Sequence, residues 1–133
     1  FVVFGDNFTQ SVTNVVTTNG DTLTGTIEND IIFAGEGDDT INGTSGEDRL
    51  SGGNGADVFI FSRDDGTSII TDFSTMDGDQ VDVSKFGFAN WAELQPHLAA
   101  TIGNNTQLTL DTDTFVYFED IVYDELSETD FII

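Results

Sequence analysis

Residues 25–60 divide without remainder into four nonapeptides: GTIENDIIF (25–33), AGEGDDTIN (34–42), GTSGEDRLS (43–51) and GGNGADVFI (52–60). A weaker copy, VTTNGDTLT, precedes them at 16–24. In every copy the sixth residue is Asp (Asp21, Asp30, Asp39, Asp48, Asp57) and the eighth is a large apolar residue (Leu23, Ile32, Ile41, Leu50, Phe59). Side chains alternate across a strand, so a three-residue strand offers only its central residue to a core. Each copy therefore reads as a six-residue turn followed by a three-residue strand, and two copies make one flattened coil. Coils stacked at the strand spacing of about 4.8 Å bury Leu23, Ile41 and Phe59 in one sheet against Ile32 and Leu50 in the other. The fold expected is all-β, a right-handed parallel β-roll. Gly35, Gly37, Gly53 and Gly55, at the second and fourth turn positions, allow positive φ and close approach of neighbouring turns.

Turns two copies apart superpose in such a roll, which puts Asp21 on Asp39, Asp39 on Asp57, and Asp30 on Asp48 along the opposite edge. Stacked carboxylates repel unless a cation lies between them. Calcium fits, because it takes six to eight oxygens from carboxylates and carbonyls in irregular geometry, whereas magnesium demands a small octahedron and keeps its waters. Composition agrees: 25 acidic residues oppose 3 basic ones, for a net charge of -22. Arg49, Arg63 and Lys85 form no basic cluster, which excludes nucleic acid and an anionic membrane surface as partners. Hydrophobic residues still make up 38% of the chain, 12 of them Phe, too many for a disordered acidic tail. Cysteine is absent, so neither disulfides nor thiolate metal sites contribute. No apolar run approaches the 18 or so residues of a membrane span.

The pattern G-G-x-G-x-D-x-U-x resembles the calcium-binding nonapeptide of RTX (repeats-in-toxin) proteins, most closely over residues 34–60. The resemblance implies calcium held between turns by the sixth-position Asp and by carbonyls of the first four turn residues. The implied ligands are Asp21, Asp30, Asp39, Asp48 and Asp57 with Gly35, Gly37, Gly46, Gly53 and Gly55, for about three to five ions. Asn19 takes the fourth position in the turn at 16–21 and joins the candidate set. Glu28 takes it in the turn at 25–30, and Glu adopts left-handed geometry poorly.

Past Phe61 the nine-residue register ends, although Asp64 and Asp65 fall where the next loop would lie, opposite Asp48. The segment SIITDFSTMDGDQVDVSKFGF (68–88) reads as strands at 68–73 and 79–84 joined by a turn at Asp77 and Gly78. It looks like the region after the repeats in serralysin-type proteases and alginate epimerase modules, which implies that Asp72 caps the last calcium site. Asn90 and Glu93 are suited to cap a short helix over WAELQPHLAA, with Trp91, Leu94 and Leu98 closing the end of the roll. His97 has no catalytic partner near it in sequence and reads as a surface or hydrogen-bonded helix residue. Residues 106–118 read as a hairpin turning at 111–113. The closing LSETDFII is similar to the carboxy termini of RTX proteins exported by type I secretion, and serves equally as a last strand. The expected division is an amino-terminal strand or leader at 1–15, the β-roll at 16–66 and a capping and secretion-signal region at 67–133.

These readings describe a non-catalytic module at the carboxy terminus of a larger secreted, extracellular bacterial protein. It folds with calcium, and its partners are an upstream catalytic or adhesive domain and the type I secretion machinery. One His and no H-E-x-x-H motif leave no protease or lipase constellation in the chain. The alternative is a calcium-dependent polysaccharide-binding module, which would use the outward strand positions such as Thr22, Thr40, Arg49, Ile31 and Phe33.

Overall fold

A computed structural model of the chain describes the backbone of residues 10–133 and side chains from residue 18 onward; residues 1–9, and with them most of the expected amino-terminal strand or leader, lie outside the described residues. The first strands are β1 (Gln10–Thr17), which precedes the repeats, and, from the repeats themselves, β2 (Thr22–Thr24), β3 (Asn29–Glu36), β4 (Thr40–Asn42), β5 (Glu47–Asn54) and β6 (Val58–Ile60). They alternate between two sheets, as the nonapeptides require. β1, β3 and β5 are parallel neighbours in one sheet and β2, β4 and β6 in the other. The register matches the expected ladder, with Leu23 opposite Ile41, Ile41 opposite Phe59, and Ile32 opposite Leu50. All five are buried, each contributing roughly 1.5–3 kcal/mol of apolar burial. The architecture is an all-β parallel β-roll.

The strands of the two sheets differ in length. Those of β2, β4 and β6 are three residues long, as expected, but β3 and β5 run to eight. The extra length comes from turn residues that also pair between coils, Gly35 with Gly53 and Glu36 with Asn54.

The roll continues past Phe61, where the nonapeptides stop. β7 (Gly66–Ile70) pairs parallel to β5, and β8 (Gln80–Asp82) parallel to β6. Ile70 stands opposite Leu50 and Val81 opposite Phe59, so the inward residue recurs at eleven-residue intervals after 59 instead of nine. Two residues have been added to each turn while the strands kept their phase. The strands expected at 68–73 and 79–84 are accordingly shorter and shifted, and a 3-10 turn (Ser84–Phe86) ends the second.

An excursion follows before the chain rejoins the sheets. Asn90 caps α1 (Trp91–Leu94): its side chain accepts the Glu93 amide, and the Glu93 carboxylate accepts Ala89 N at 2.8 Å. The expected longer helix stops there. Pro96 starts a 3-10 turn (Gln95–His97), and Leu98 belongs to β9 (Leu98–Ala100), which pairs with β10 (Thr106–Thr109). β10 forms the expected hairpin with β11 (Thr114–Phe118). β11 returns to the roll parallel to β7, and β12 (Phe131–Ile132) lies parallel to β8. The finished sheets read β1-β3-β5-β7-β11-β10-β9 and β12-β8-β6-β4-β2. One core joins repeats and extension, from Leu23 to Phe131, with Phe73 edge-on to Phe118 at 5.1 Å. Trp91 packs on Phe131 at 5.4 Å and is part of this closure.

Candidate metal centre

Each edge of the roll carries a column of sixth-position carboxylates tied by the same bond. On the edge leading into the five-stranded sheet, Asp21 N donates to Asp39 Oδ1 (2.7 Å), Asp39 N to Asp57 Oδ1 (2.9 Å), and Asp57 N to Asp79 Oδ1 (2.9 Å). On the other edge Asp30 N donates to Asp48 Oδ1 (2.9 Å). The expected stacking is present, and one oxygen of Asp39, Asp48, Asp57 and Asp79 is committed to it.

The second oxygen divides the turns into two kinds. Where the fourth turn residue is Gly37, Gly46 or Gly55, with φ of 116°, 126° and 124°, Oδ2 of that turn's Asp is buried and has no hydrogen-bond partner. These are Asp39, Asp48 and Asp57, each at most 1% exposed. Glu28 occupies that position in the turn at 25–30, and there Asp30 Oδ2 accepts Thr26 N at 2.6 Å and the Thr26 hydroxyl at 3.1 Å. Asp79 Oδ2 is likewise claimed within its own turn by Ser74 N at 2.8 Å.

A buried carboxylate oxygen without a partner is costly to keep ionised. Burial is the main reason that Asp48 and Asp57 are each pushed up to about 7; the amides of Asp30 and Asp39 pull the other way, and neighbouring carboxylates add to the rise. Burial also raises Asp65 and Asp79 above the usual carboxylate range. The donors are all oxygen, which suits a hard divalent cation. Among the described residues no three His, Asp or Glu side chains converge on one point. An ion between coils would therefore take few carboxylates and complete its six to eight oxygens from turn carbonyls.

The turn backbone is arranged for that. A Cβ on Gly37 would lie 2.7 Å from Asn19 O, and one on Gly46 2.5 Å from Glu28 O. A Cβ on Gly53 or Gly55 would strike the carbonyl oxygen of Gly35 or Gly37. Fourth-position carbonyls of one coil thus lie against the next coil. Thr44 is the exception, a β-branched residue at φ 68° where the other edge has glycine. Its hydroxyl donates to Thr26 O, so that carbonyl already has a partner.

Asp72 lies on the same edge as Asp57, not free at a strand end. It accepts Gly52 N and Gly53 N, both at 3.0 Å, and the Ser51 hydroxyl at 2.5 Å, and its charge helps raise Asp57. Asp65 accepts Ser62 N at 2.6 Å and is near enough to raise Asp48, but Ser68 is the residue in register with Asp48. Asp64 instead bonds through its amide to Thr114 Oγ1. His97 is structural: Nδ1 meets Thr109 O at 2.7 Å and the ring lies edge-on to Phe88. Asp79 is absent from the candidate set read from sequence. Its signal was present, since Asp79 and Val81 repeat the Asp-x-apolar spacing, but the turn before them is too long for the nonapeptide.

The family model of the RTX calcium-binding nonapeptide repeat, of four copies, matches residues 16–50 and 33–67. The resemblance read from the nonapeptides therefore holds, and these residues form a calcium-binding repeat module. Among solved structures, the chain is similar to the AlgE6R3 subunit of the Azotobacter vinelandii mannuronan C5-epimerase. The two are 28% identical with a TM-score of 0.60, over 89% of this chain and 81% of that one. The AlgE6R2 subunit of the same enzyme is 26% identical with a TM-score of 0.60, over 92% and 91%. The fold is also shared with the extracellular lipase LipA of Serratia marcescens (17% identity, TM-score 0.56), where 95% of this chain covers 21% of the lipase. No curated protein sequence matches the chain.

Proposed function

We propose that this chain is a calcium-folded module of a larger secreted protein, serving its export by type I secretion and the stability of the exported form. The observation that carries this reading is the set of three buried, unpartnered carboxylate oxygens on Asp39, Asp48 and Asp57, each in a turn with glycine at its fourth position. Asp21, Asp30, Asp39, Asp48, Asp57 and Asp72, with carbonyls at Asn19, Gly35, Gly37, Gly46, Gly53 and Gly55, are the proposed ligand set, and Asp79 joins it. Bound calcium supplies positive charge between carboxylates that otherwise repel. This chain's own residues hold the coils in register through the amide-to-carboxylate bonds.

A site with ligand at 100 times its dissociation constant contributes about 2.7 kcal/mol, and extracellular calcium modules bind at roughly 0.1–1 mM. Three such sites would rival the stability of a whole small domain. The chain is then open where calcium is scarce and closed outside the cell, which suits threading through a channel. Export supplies the extracellular localisation, and an upstream catalytic or adhesive domain is the passenger; similarity to a segment of an extracellular lipase supports that arrangement. Circular dichroism during calcium titration, with magnesium as control, tests the folding role. Cooperative folding with calcium alone is expected, and full structure in chelator would overturn it. Failure of the chain to export a fused passenger through a type I channel would remove the secretion role.

A second reading, calcium-dependent polysaccharide binding, is favoured by a groove of about 170 Å³ on the outer face of the seven-stranded sheet, lined in part by Ile31, Phe33, Arg49 and Thr71. Phe33 is 46% exposed there, a stacking surface for a sugar ring. A glycan array run in calcium decides it, with retention lost in Phe33→Ala expected and an empty array counting against it.

A further inference from the structure

Among the described residues β9 is the last strand of the seven-stranded sheet and pairs with β10 alone. Thr101 N donates to Asn105 O at 3.0 Å, which sets the phase of this antiparallel ladder. Bonded and non-bonded pairs alternate, so Ala99 bonds toward β10 while the backbone groups of Leu98 and Ala100 turn to the open side. Gln95 O takes the Leu98 amide. The Leu98 carbonyl and both polar groups of Ala100 remain on that side. Sheet edges are ordinarily guarded by Lys, Pro, a bulge or a covering segment. β9 carries no Lys or Pro, its register is unbroken, and Ala99 and Ala100 are exposed, while a 3-10 turn (Tyr123–Glu125) packs beside it without forming a strand.

Beside this edge runs an open groove of about 450 Å³, lined by Leu98, Ala99, Ala100, Val122, Tyr123 and Asp124. The small alanines leave room in it, and its surroundings are apolar: Val122 is 38% exposed and Ile102 97%. The charge at its rim is negative, from Asp124 and the neighbouring exposed Glu125. The chain's three basic residues are engaged elsewhere, Arg49 with Glu119, Arg63 with the Phe86 carbonyl, and Lys85 with the Ser62 hydroxyl.

We propose that β9 and this groove dock an extended cationic segment of a partner protein by strand addition. The added strand bonds to the free backbone groups of Ala100 and Leu98, and its alternate apolar side chains enter the groove. The side chains between them are Lys or Arg, attracted by Asp124 and by a chain of net charge -22. The same charge disfavours a second copy of this chain as the occupant.

The test titrates a blocked hexapeptide of alternating Lys and Val into the calcium-saturated protein by calorimetry, beside its alternating Glu and Val counterpart. Saturable one-to-one binding of the Lys peptide alone is expected. Ala100→Pro removes the outward amide and should weaken it about tenfold. Asp124→Lys should shift preference toward the Glu peptide. Circular dichroism checks that both variants fold, and if Ala100→Pro does not, Asp124→Lys decides. Absence of binding, equal binding of both peptides, or binding that neither variant changes would overturn the proposal. So would self-association of the protein that Ala100→Pro abolishes, which would make a second copy the occupant.

Discussion

The two turn edges of the roll are written in the same nonapeptide but finished differently. The edge with Asp39 and Asp57 has glycine at the second and fourth positions of both turns, and the column runs on to Asp79. The edge with Asp30 and Asp48 keeps only Gly46 among those positions and carries Thr26, Glu28 and Thr44 in place of the others. Where the fourth glycine is present, the carboxylate keeps an oxygen for something outside the protein. At Asp30, where Glu28 replaces it, the turn folds its own amide onto that oxygen. That turn differs at its second position too, where Thr26 supplies both the amide and the hydroxyl that claim the oxygen.

Removing single carboxylates should show the largest effect. Asp57 faces Asp39 on one side and Asp79 on the other, so Asp57→Asn should cost up to one full site, about 2.7 kcal/mol at 100-fold saturation. Asp48→Asn should cost less and Asp30→Asn least, because Asp30 is already satisfied in its own turn. Calcium-dependent thermal melts check the order, and equal shifts for Asp57 and Asp30 would make the edges equivalent. Backbone substitutions should then act with opposite signs. Gly55→Ala puts a Cβ against Gly37 O at φ 124° and should destabilise by about 1–3 kcal/mol. Thr44→Gly relieves a left-handed β-branched residue worth roughly 1–2 kcal/mol, offset in part by the lost hydroxyl bond, and frees the Thr26 carbonyl. Calcium midpoints of the two variants should move apart.

A smaller effect separates the metal-free from the calcium-bound roll. Asp48 and Asp57 stand at about 7 in the metal-free fold against an ordinary 3.8. Raised folded values mean that the fold binds more protons than the unfolded chain. Their stabilising contribution is complete below pH 3.8 and is lost as pH climbs through about 7. In chelator, structure should therefore increase as pH is lowered from 8 to 5, while in calcium the trend reverses because protons compete for the ligand oxygens. Circular dichroism against pH, with and without calcium, reads both signs.

How much could be read from sequence follows the same divide. Strict spacing made the rungs from Leu23 to Phe59 and the column from Asp21 to Asp57 readable. Asp79 and the rungs at Ile70 and Val81 escaped because two residues entered each turn, and a fixed period cannot register an insertion that leaves strand phase intact. Leu98 was assigned to a helix on spacing alone; pairing with Leu108 in β10 placed it in a strand, an interaction no local pattern carries. The Thr44 hydroxyl on Thr26 O was equally out of reach, since it depends on two residues meeting 18 apart.

The sixth-position amide-to-carboxylate bonds run from each coil to the one after it, whereas Ala56 N bonds back to Asp38 Oδ1 and the amides of Thr40, Val58 and Gln80 bond back to the carbonyls of Asp21, Asp39 and Asp57. A cut on either side of a coil therefore strands backbone donors as well as acceptors. Asp79, closed on Ser74, behaves as a fixed terminus of the series. Each coil carries the same bonds to its neighbours, so the stack can gain or shed whole coils while keeping the final turn that Ser74 closes on Asp79.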